Sequence, residues 1–253
     1  MKKQIPNLLT LLNLLSGLIA VIMACSDRLI EAAFFVMLGI FFDFFDGFFA
    51  RLLKVSGELG KQLDSLADMV TSGVAPGIVM FQMLLMATGG KWFMEMSCEY
   101  SSWQSFDDPN WNYLPFLGLL IPLASAYRLA KFNIDERQTS SFIGLPTPAL
   151  SLFVVSLPLV LSSSDISFFT ELLQNKYVLI GITLIGSYLL NAEIPLFSLK
   201  FKDYSWKNNI AKYVFLMLSV VLIIWLRTVA VPLIIISYVL ISMIENMVKS
   251  NYK

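Results

Sequence analysis

The chain has 253 residues, of which 57% are hydrophobic and 14% charged, and its mean hydropathy is +0.72, as expected of an integral membrane protein. Its 18 basic and 18 acidic residues balance, which excludes the basic surface of a nucleic-acid-binding protein. The absence of histidine excludes a Ser-His-Asp triad, histidine metal ligands and a histidine general base, so acid–base or metal chemistry falls to carboxylates, which favour hard divalent cations.

Apolar stretches recur along the chain, and each is long enough to cross a bilayer at about 20 residues per crossing. We therefore expect an all-α integral membrane protein in which residues 1–253 form one transmembrane domain. Eight transmembrane helices are predicted, near residues 7–25, 29–53, 62–88, 113–131, 146–163, 177–198, 210–227 and 230–248. The first is predicted to be a retained helix and not a cleaved signal peptide, because it lacks a convincing small-residue cleavage site.

Lysine and arginine predict the orientation. With eight spans, 14 of the 18 basic residues fall on the side that holds both termini. By the positive-inside rule, that side is cytoplasmic. We expect a multi-pass protein of the cell membrane, specifically of a bacterial inner membrane. Its expected partners include membrane lipid but no nucleic acid.

The first predicted helix has a polar stripe in which Asn7, Thr10, Asn13 and Gly17 recur at helical spacing. Packing against the acidic helices that follow explains this stripe at least as well as contact with a nucleotide.

The second predicted helix carries the stretch FFDFFDGFFAR at residues 41–51. On insertion scales an aspartate near the centre of a membrane helix costs roughly 2.5–3.5 kcal/mol. At about 100° per residue, Asp43, Asp46, Gly47 and Ala50 share one face that contains no phenylalanine. The acids are therefore segregated, and the small residues beside them let a ligand or another backbone approach closely.

The third predicted helix repeats this pattern in GKQLDSLADMVTSGVAP, residues 60–76. Gly60, Asp64 and Asp68 share a face with two further small residues. A short loop joins the two helices, so as antiparallel neighbours they bring four carboxylates into one cluster near the cytoplasmic boundary.

Four carboxylates at that depth stay ionised only if cations neutralise them or one becomes protonated. Divalent metals, with further ligands from a phosphate-bearing substrate, satisfy this requirement. The alternative is that the aspartates merely cap helices or pair with Arg51 and Lys61. The regular spacing of four acids on facing helices favours the metal site.

The spacing of these residues, D43-x2-D46-G47-x2-A50-R51-x8-G60-x3-D64-x3-D68, resembles the complete signature of the CDP-alcohol phosphatidyltransferases. The resemblance implies transfer of a phosphatidyl group from a CDP-linked lipid to an alcohol, with release of CMP. It also implies a homodimer and a six-helix core over about residues 1–199, to which the two spans at about 210–248 are an addition.

The resemblance also implies the roles of the residues. Asp43, Asp46 and Asp64 bind two divalent cations, Mg²⁺ or Mn²⁺, that hold the pyrophosphate. Asp68 helps to bind the second ion and is the catalytic general base on the incoming hydroxyl. The nucleotide-binding set is Asp43, Asp46, Gly47, Ala50, Arg51, Gly60 and Asp64.

Three further segments, TSGVAPG (71–77), RLAKFNI (128–134) and SFIGLPTPAL (141–150), resemble the members of that family that make phosphatidylserine. The substrates would then be CDP-diacylglycerol and L-serine. The serine carboxylate needs a cation, which Arg128 or Lys131 would supply, and Asn133 would add a hydrogen bond. The alternative is that both cations are ordinary positive-inside residues.

Two other functions stay open from the sequence. The same transfer to glycerol 3-phosphate or inositol phosphate would be expected to need more basic residues near the site. A cation transporter would place acids near mid-membrane on broken helices with an outward path. Here the acids lie near one face on apparently continuous helices, which favours the transferase.

Overall fold

The computed structural model describes residues 4–55, 57–89, 112–135, 142–163, 167–197 and 209–251, and these are almost entirely helical. In chain order the helices are α1 (Gln4–Cys25), α2 (Leu29–Leu52), α3 (Glu58–Asp68), α4 (Ala75–Ala87), α5 (Leu120–Ile134), α6 (Thr147–Ser163), α7 (Ser167–Gln174), α8 (Lys176–Asn191), α9 (Ile210–Leu226) and α10 (Ala230–Asn251). A π-helical turn, Met69–Val74, joins α3 to α4, and 3₁₀ segments, Leu114–Leu119 and Arg227–Val229, precede α5 and α10. Strands β1 (Phe142–Ile143) and β2 (Pro195–Leu196) form an antiparallel pair.

The predicted all-α membrane fold is confirmed, and helices occupy all eight predicted span positions. Among the described residues, four helical segments are long and apolar enough to cross a membrane: Gln4–Cys25, Leu29–Leu52, Glu58–Ala87 and Ile210–Met247. The last of these contains two predicted spans, since the chain turns at Arg227, whose φ is 47°. The α6 and α8 helices are apolar but shorter.

The third span differs from the expected uninterrupted helix, because the π turn Met69–Val74 widens it directly after Asp68. Thr71 holds the turn against α1 and α2. Its hydroxyl donates a 3.0 Å hydrogen bond to the Asn13 carbonyl of α1. Its methyl group fills the space beside Gly39 of α2, where a Cβ would lie 2.5 Å from Thr71 Cγ2. Packing against α1 and α2 thus decides the local helix geometry, and it sets the position of the acidic face.

Small side chains allow α1 and α2 to pack closely. Ala20 and Ala24 of α1 and Ala32 and Ala33 of α2 have no exposed surface. The opposite face of α2 carries exposed phenylalanines, as expected for a side that meets lipid. The acidic face of α2 is therefore turned towards the protein and its phenylalanines away from it.

The two C-terminal helices form an antiparallel hairpin. Phe215 and Tyr238 lie on opposite sides of the Arg227 turn, and their ring centroids are 5.7 Å apart. The hairpin is attached to the segment after α8, since the Tyr238 hydroxyl donates to the Phe197 carbonyl at 2.9 Å. The α10 helix also packs against α6.

Candidate active site

The acidic residues of α2 and α3 meet at one site. One carboxylate oxygen from each of Asp43, Asp64 and Asp68 lies within 4.8 Å of the other two. Asp46 follows Asp43 by one helical turn on α2 and is within electrostatic range of Asp64. The structure therefore brings together the acids that the sequence analysis singled out.

These carboxylates fit a divalent cation. Asp64 Oδ1 is buried, and within the described residues it has no hydrogen-bond partner. A buried acceptor of this kind is normally satisfied, so it points to a ligand that the carboxylate would bind. Three half-buried carboxylates at this separation supply the oxygen donors that Mg²⁺ and Mn²⁺ prefer.

The alternative of capping or ion pairing has little support in the geometry. In the part of the chain that the structure describes, none of the four aspartates forms a salt bridge with lysine or arginine. Lys61 instead donates to the Asn133 carbonyl at 2.9 Å, and Arg51 is exposed near the end of α2. Asp68, which precedes the π turn, makes no side-chain capping hydrogen bond there.

The first helix holds two of the acids by hydrogen bonds. Thr10 Oγ1 donates to Asp46 Oδ2 at 2.5 Å, and Asn13 Nδ2 donates to Asp68 Oδ1 at 3.3 Å. Both α1 side chains are buried. The stripe is recognisable in the sequence, but the acids that its members bind are not, because spacing along one helix does not reveal which residue faces it across an interface.

The residues predicted to admit a nucleotide have small or exposed side chains. A Cβ placed on Gly47 would meet no heavy atom of the described residues within 4 Å, so the α2 backbone is open there. At Gly60 a Cβ would lie 3.4 Å from Asn7 Oδ1, which places α3 against the start of α1. Ala50 is half-buried and Arg51 exposed on the following turn of α2.

The three predicted acceptor-binding residues separate into two groups. Arg128 is 7% exposed and lies within electrostatic range of Asp68. Lys131 forms a 3.5 Å salt bridge with Glu193, and the Asn133 amide donates to Ser65 Oγ at 2.8 Å. The structure therefore brings Arg128 to the acidic cluster, whereas the polar groups of Lys131 and Asn133 bind neighbouring elements.

Tyr238 of α10 is a residue near the site that the sequence did not predict. It lies within electrostatic range of Arg128. One hydroxyl in an otherwise apolar helix gives no pattern from which such a contact could be predicted.

Known proteins resemble this chain over most of its length. The model of the CDP-alcohol phosphatidyltransferase family matches residues 3–189, about three quarters of the chain. The chain is similar to the CDP-diacylglycerol–serine O-phosphatidyltransferase of Bacillus subtilis, with 32% identity over 157 residues, which cover 60% of this chain and 74% of that protein. Its identity with the enzyme of the same name from Helicobacter pylori (strain ATCC 700392 / 26695) is 28% over 221 residues, covering 86% and 81%. The archaetidylserine synthase of Methanothermobacter thermautotrophicus is 28% identical over 167 residues, covering 64% and 61%.

Proposed function

The chain belongs to the CDP-alcohol phosphatidyltransferase family, and we propose that it transfers a phosphatidyl group from CDP-diacylglycerol to L-serine, giving phosphatidylserine and CMP. The observation that carries this proposal is the cluster of Asp43, Asp64 and Asp68, whose carboxylate oxygens lie within 4.8 Å of one another in a membrane protein. Carboxylates that gather at a membrane helix interface are expensive and indicate a functional site.

Serine as the acceptor is supported by the names of the relatives and by Arg128. The bacterial and archaeal relatives share serine in their names. A free amino acid brings a carboxylate, for which a buried guanidinium is a suitable partner. Arg128 is such a group, and it is within electrostatic range of Asp68.

Asp43, Asp64 and Asp68, with Asp46 beside them, are the residues that would hold the divalent cations, and we expect two, Mg²⁺ or Mn²⁺. Such ions neutralise the pyrophosphate and act as Lewis acids. Asp64 Oδ1 lacks a hydrogen-bond partner among the described residues, so it is the carboxylate oxygen best suited to bind a cation.

The chain's own groups carry the proton chemistry. Asp68 removes the proton from the serine hydroxyl, and the serine oxygen forms a bond to the phosphorus of the phosphatidyl group. The bond from that phosphorus to the oxygen shared with CMP breaks, and CMP leaves with the electron pair. Asn13 donates to Asp68 Oδ1 at 3.3 Å and orients the carboxylate for this step.

The remaining features of the proposal concern location and assembly. The active site and both termini face the cytoplasm of a bacterial inner membrane, as the distribution of basic residues indicates. The acyl chains stay in the bilayer while serine arrives from water. The enzyme works as a homodimer, as the family resemblance implies.

The test is CMP release from CDP-diacylglycerol by the purified protein in detergent. Serine is compared with glycerol 3-phosphate and inositol phosphate, with Mg²⁺ or Mn²⁺ and with chelator. We expect release with serine alone, loss of release with chelator, and loss in Asp68→Asn. Release with another acceptor alone would overturn the assignment of serine as the acceptor but keep the reaction of the family. If folded protein released no CMP with any acceptor, the proposed enzymatic activity would be wrong.

A further inference from the structure

Buried hydroxyl groups lie on α5 and on a series of elements that pack against one another. Ser125 lies one turn before Arg128 on α5, Ser72 in the π turn, Ser151 in α6 and Ser242 in α10, and each is at most 1% exposed. Their Oγ atoms, and the Nε of Arg128, have no hydrogen-bond partner among the described residues. Serines in membrane helices commonly donate to the carbonyl one turn earlier, as Ser219 does to Phe215 at 2.8 Å. The unpartnered groups are therefore suited to a polar ligand.

The elements that carry these groups pack together. A Cβ on Gly73 of the π turn would lie 3.2 Å from the Ser125 Cβ, so the π turn touches α5 at this point. The π turn also packs against α6, and α6 packs against α10. Arg128 itself is within electrostatic range of both Asp68 of the acidic cluster and Tyr238 of α10.

One face of α10 carries the polar residues Tyr238 and Ser242, one helical turn apart. The Tyr238 ring packs against Phe197, with the centroids 5.0 Å apart, and its hydroxyl donates its proton to the Phe197 carbonyl. The lone pairs of that oxygen remain available as acceptors. Ser242 follows one turn later and is buried on the same face. The Asn246 amide donates to the Pro195 carbonyl, which attaches the end of α10 to β2.

We propose that the α9–α10 hairpin completes the pocket for the acceptor, with Tyr238 and Ser242 forming the wall opposite Asp68. This inference rests on the proposed function. Arg128 pairs with the carboxylate of serine, and the oxygens of Tyr238 and Ser242 accept hydrogen bonds from its ammonium group. Because the family model ends at residue 189, this wall is contributed by a part of the chain outside the matched segment.

The test uses the full-length protein with Ser242→Ala and Tyr238→Phe. Each change removes one hydrogen-bonding group, and we expect a roughly tenfold rise in the KM for serine, as for the loss of one hydrogen bond to a charged group. The KM for CDP-diacylglycerol should stay within about twofold of the wild-type value on the same grounds. Serine should also raise the unfolding temperature of the wild-type protein in the presence of CMP, and this shift should be smaller in both variants.

Ser237→Ala is the matched control. Ser237 is the neighbour of Tyr238 on α10, and its hydroxyl already donates to the Ile234 carbonyl at 2.8 Å. The control should keep the wild-type KM for serine. The inference would be wrong if both Ser242→Ala and Tyr238→Phe kept the wild-type KM for serine and the wild-type thermal shift. Serine-dependent CMP release would in that case still support the proposed function. A wild-type protein that does not use serine would overturn both.

Discussion

Thr10 of α1 donates a 2.5 Å hydrogen bond to the Oδ2 of Asp46 on α2. One turn further along α1, Asn13 donates to Asp68 on α3. The first helix thus contacts an acid on each of the two helices that form the cluster. It contributes no carboxylate, and its role is to orient those of its neighbours.

Replacing Thr10 with valine should lower kcat by roughly tenfold, because it removes the hydroxyl that donates to the buried Asp46 carboxylate, at a cost of about 1–3 kcal/mol. Thr10→Ser keeps the hydroxyl and should retain most of the activity. The measurement is the rate of CMP release at saturating serine. Wild-type kcat in Thr10→Val would show that this hydrogen bond does not position the acid.

Replacing Asp64 with asparagine should abolish activity and weaken Mn²⁺ binding by at least roughly tenfold, since one charged oxygen donor becomes a neutral amide. Titration of the purified protein with Mn²⁺, followed by electron paramagnetic resonance, measures the affinity without turnover. Asp27→Asn is a matched control, because Asp27 lies outside the cluster and its φ of 59° suits asparagine. Equal Mn²⁺ affinity in wild type and Asp64→Asn would contradict the metal assignment.

Replacing Gly39 with alanine should destabilise the protein by about 1–3 kcal/mol, as expected for overpacking. The new methyl group would lie 2.5 Å from Thr71 Cγ2 and would push the π turn away from α2. Thr71→Ser removes that Cγ2 but keeps the hydroxyl that binds the Asn13 carbonyl. The double variant should therefore recover part of the stability lost in Gly39→Ala, since the new methyl group would still lie 2.9 Å from Asn13 Oδ1.

Unfolding in detergent, followed by circular dichroism, measures this coupling. Gly181→Ala provides the comparison, since a Cβ there would meet no heavy atom within 4 Å among the described residues. Additive effects of Gly39→Ala and Thr71→Ser would mean that the two positions do not contact each other.

Arg128 and Lys131 should respond differently to substitution. Lys131→Ala removes an ion pair with Glu193, whose side chain is 70% exposed, and such pairs contribute about 0–1 kcal/mol. We therefore expect a serine KM close to wild type. Arg128→Lys keeps the charge but loses the planar fork that binds a carboxylate, and it should raise the serine KM by roughly tenfold or more. A larger effect at Lys131 than at Arg128 would reverse the assignment.

The third span was predicted as a helix from the sequence, but its local geometry was not. A helix was predicted near 62–88, and the structure has one from Glu58 to Ala87. The π turn within it was not predicted, because it depends on Thr71 meeting Gly39 and the Asn13 carbonyl. Those groups belong to two other helices, so no local pattern encodes their contact.

The sequence by itself determined the all-α membrane fold and the grouping of the acids on two helix faces. Hydropathy and the 3.6-residue helical repeat are local properties, and the short connection between α2 and α3 makes those faces neighbours. Only the tertiary structure decided that Arg128 lies within electrostatic range of Asp68 while Lys131 pairs with Glu193, and that Tyr238, far along the chain, lies within electrostatic range of Arg128. Contacts between distant helices depend on how their surfaces pack, and helical periodicity does not contain that information.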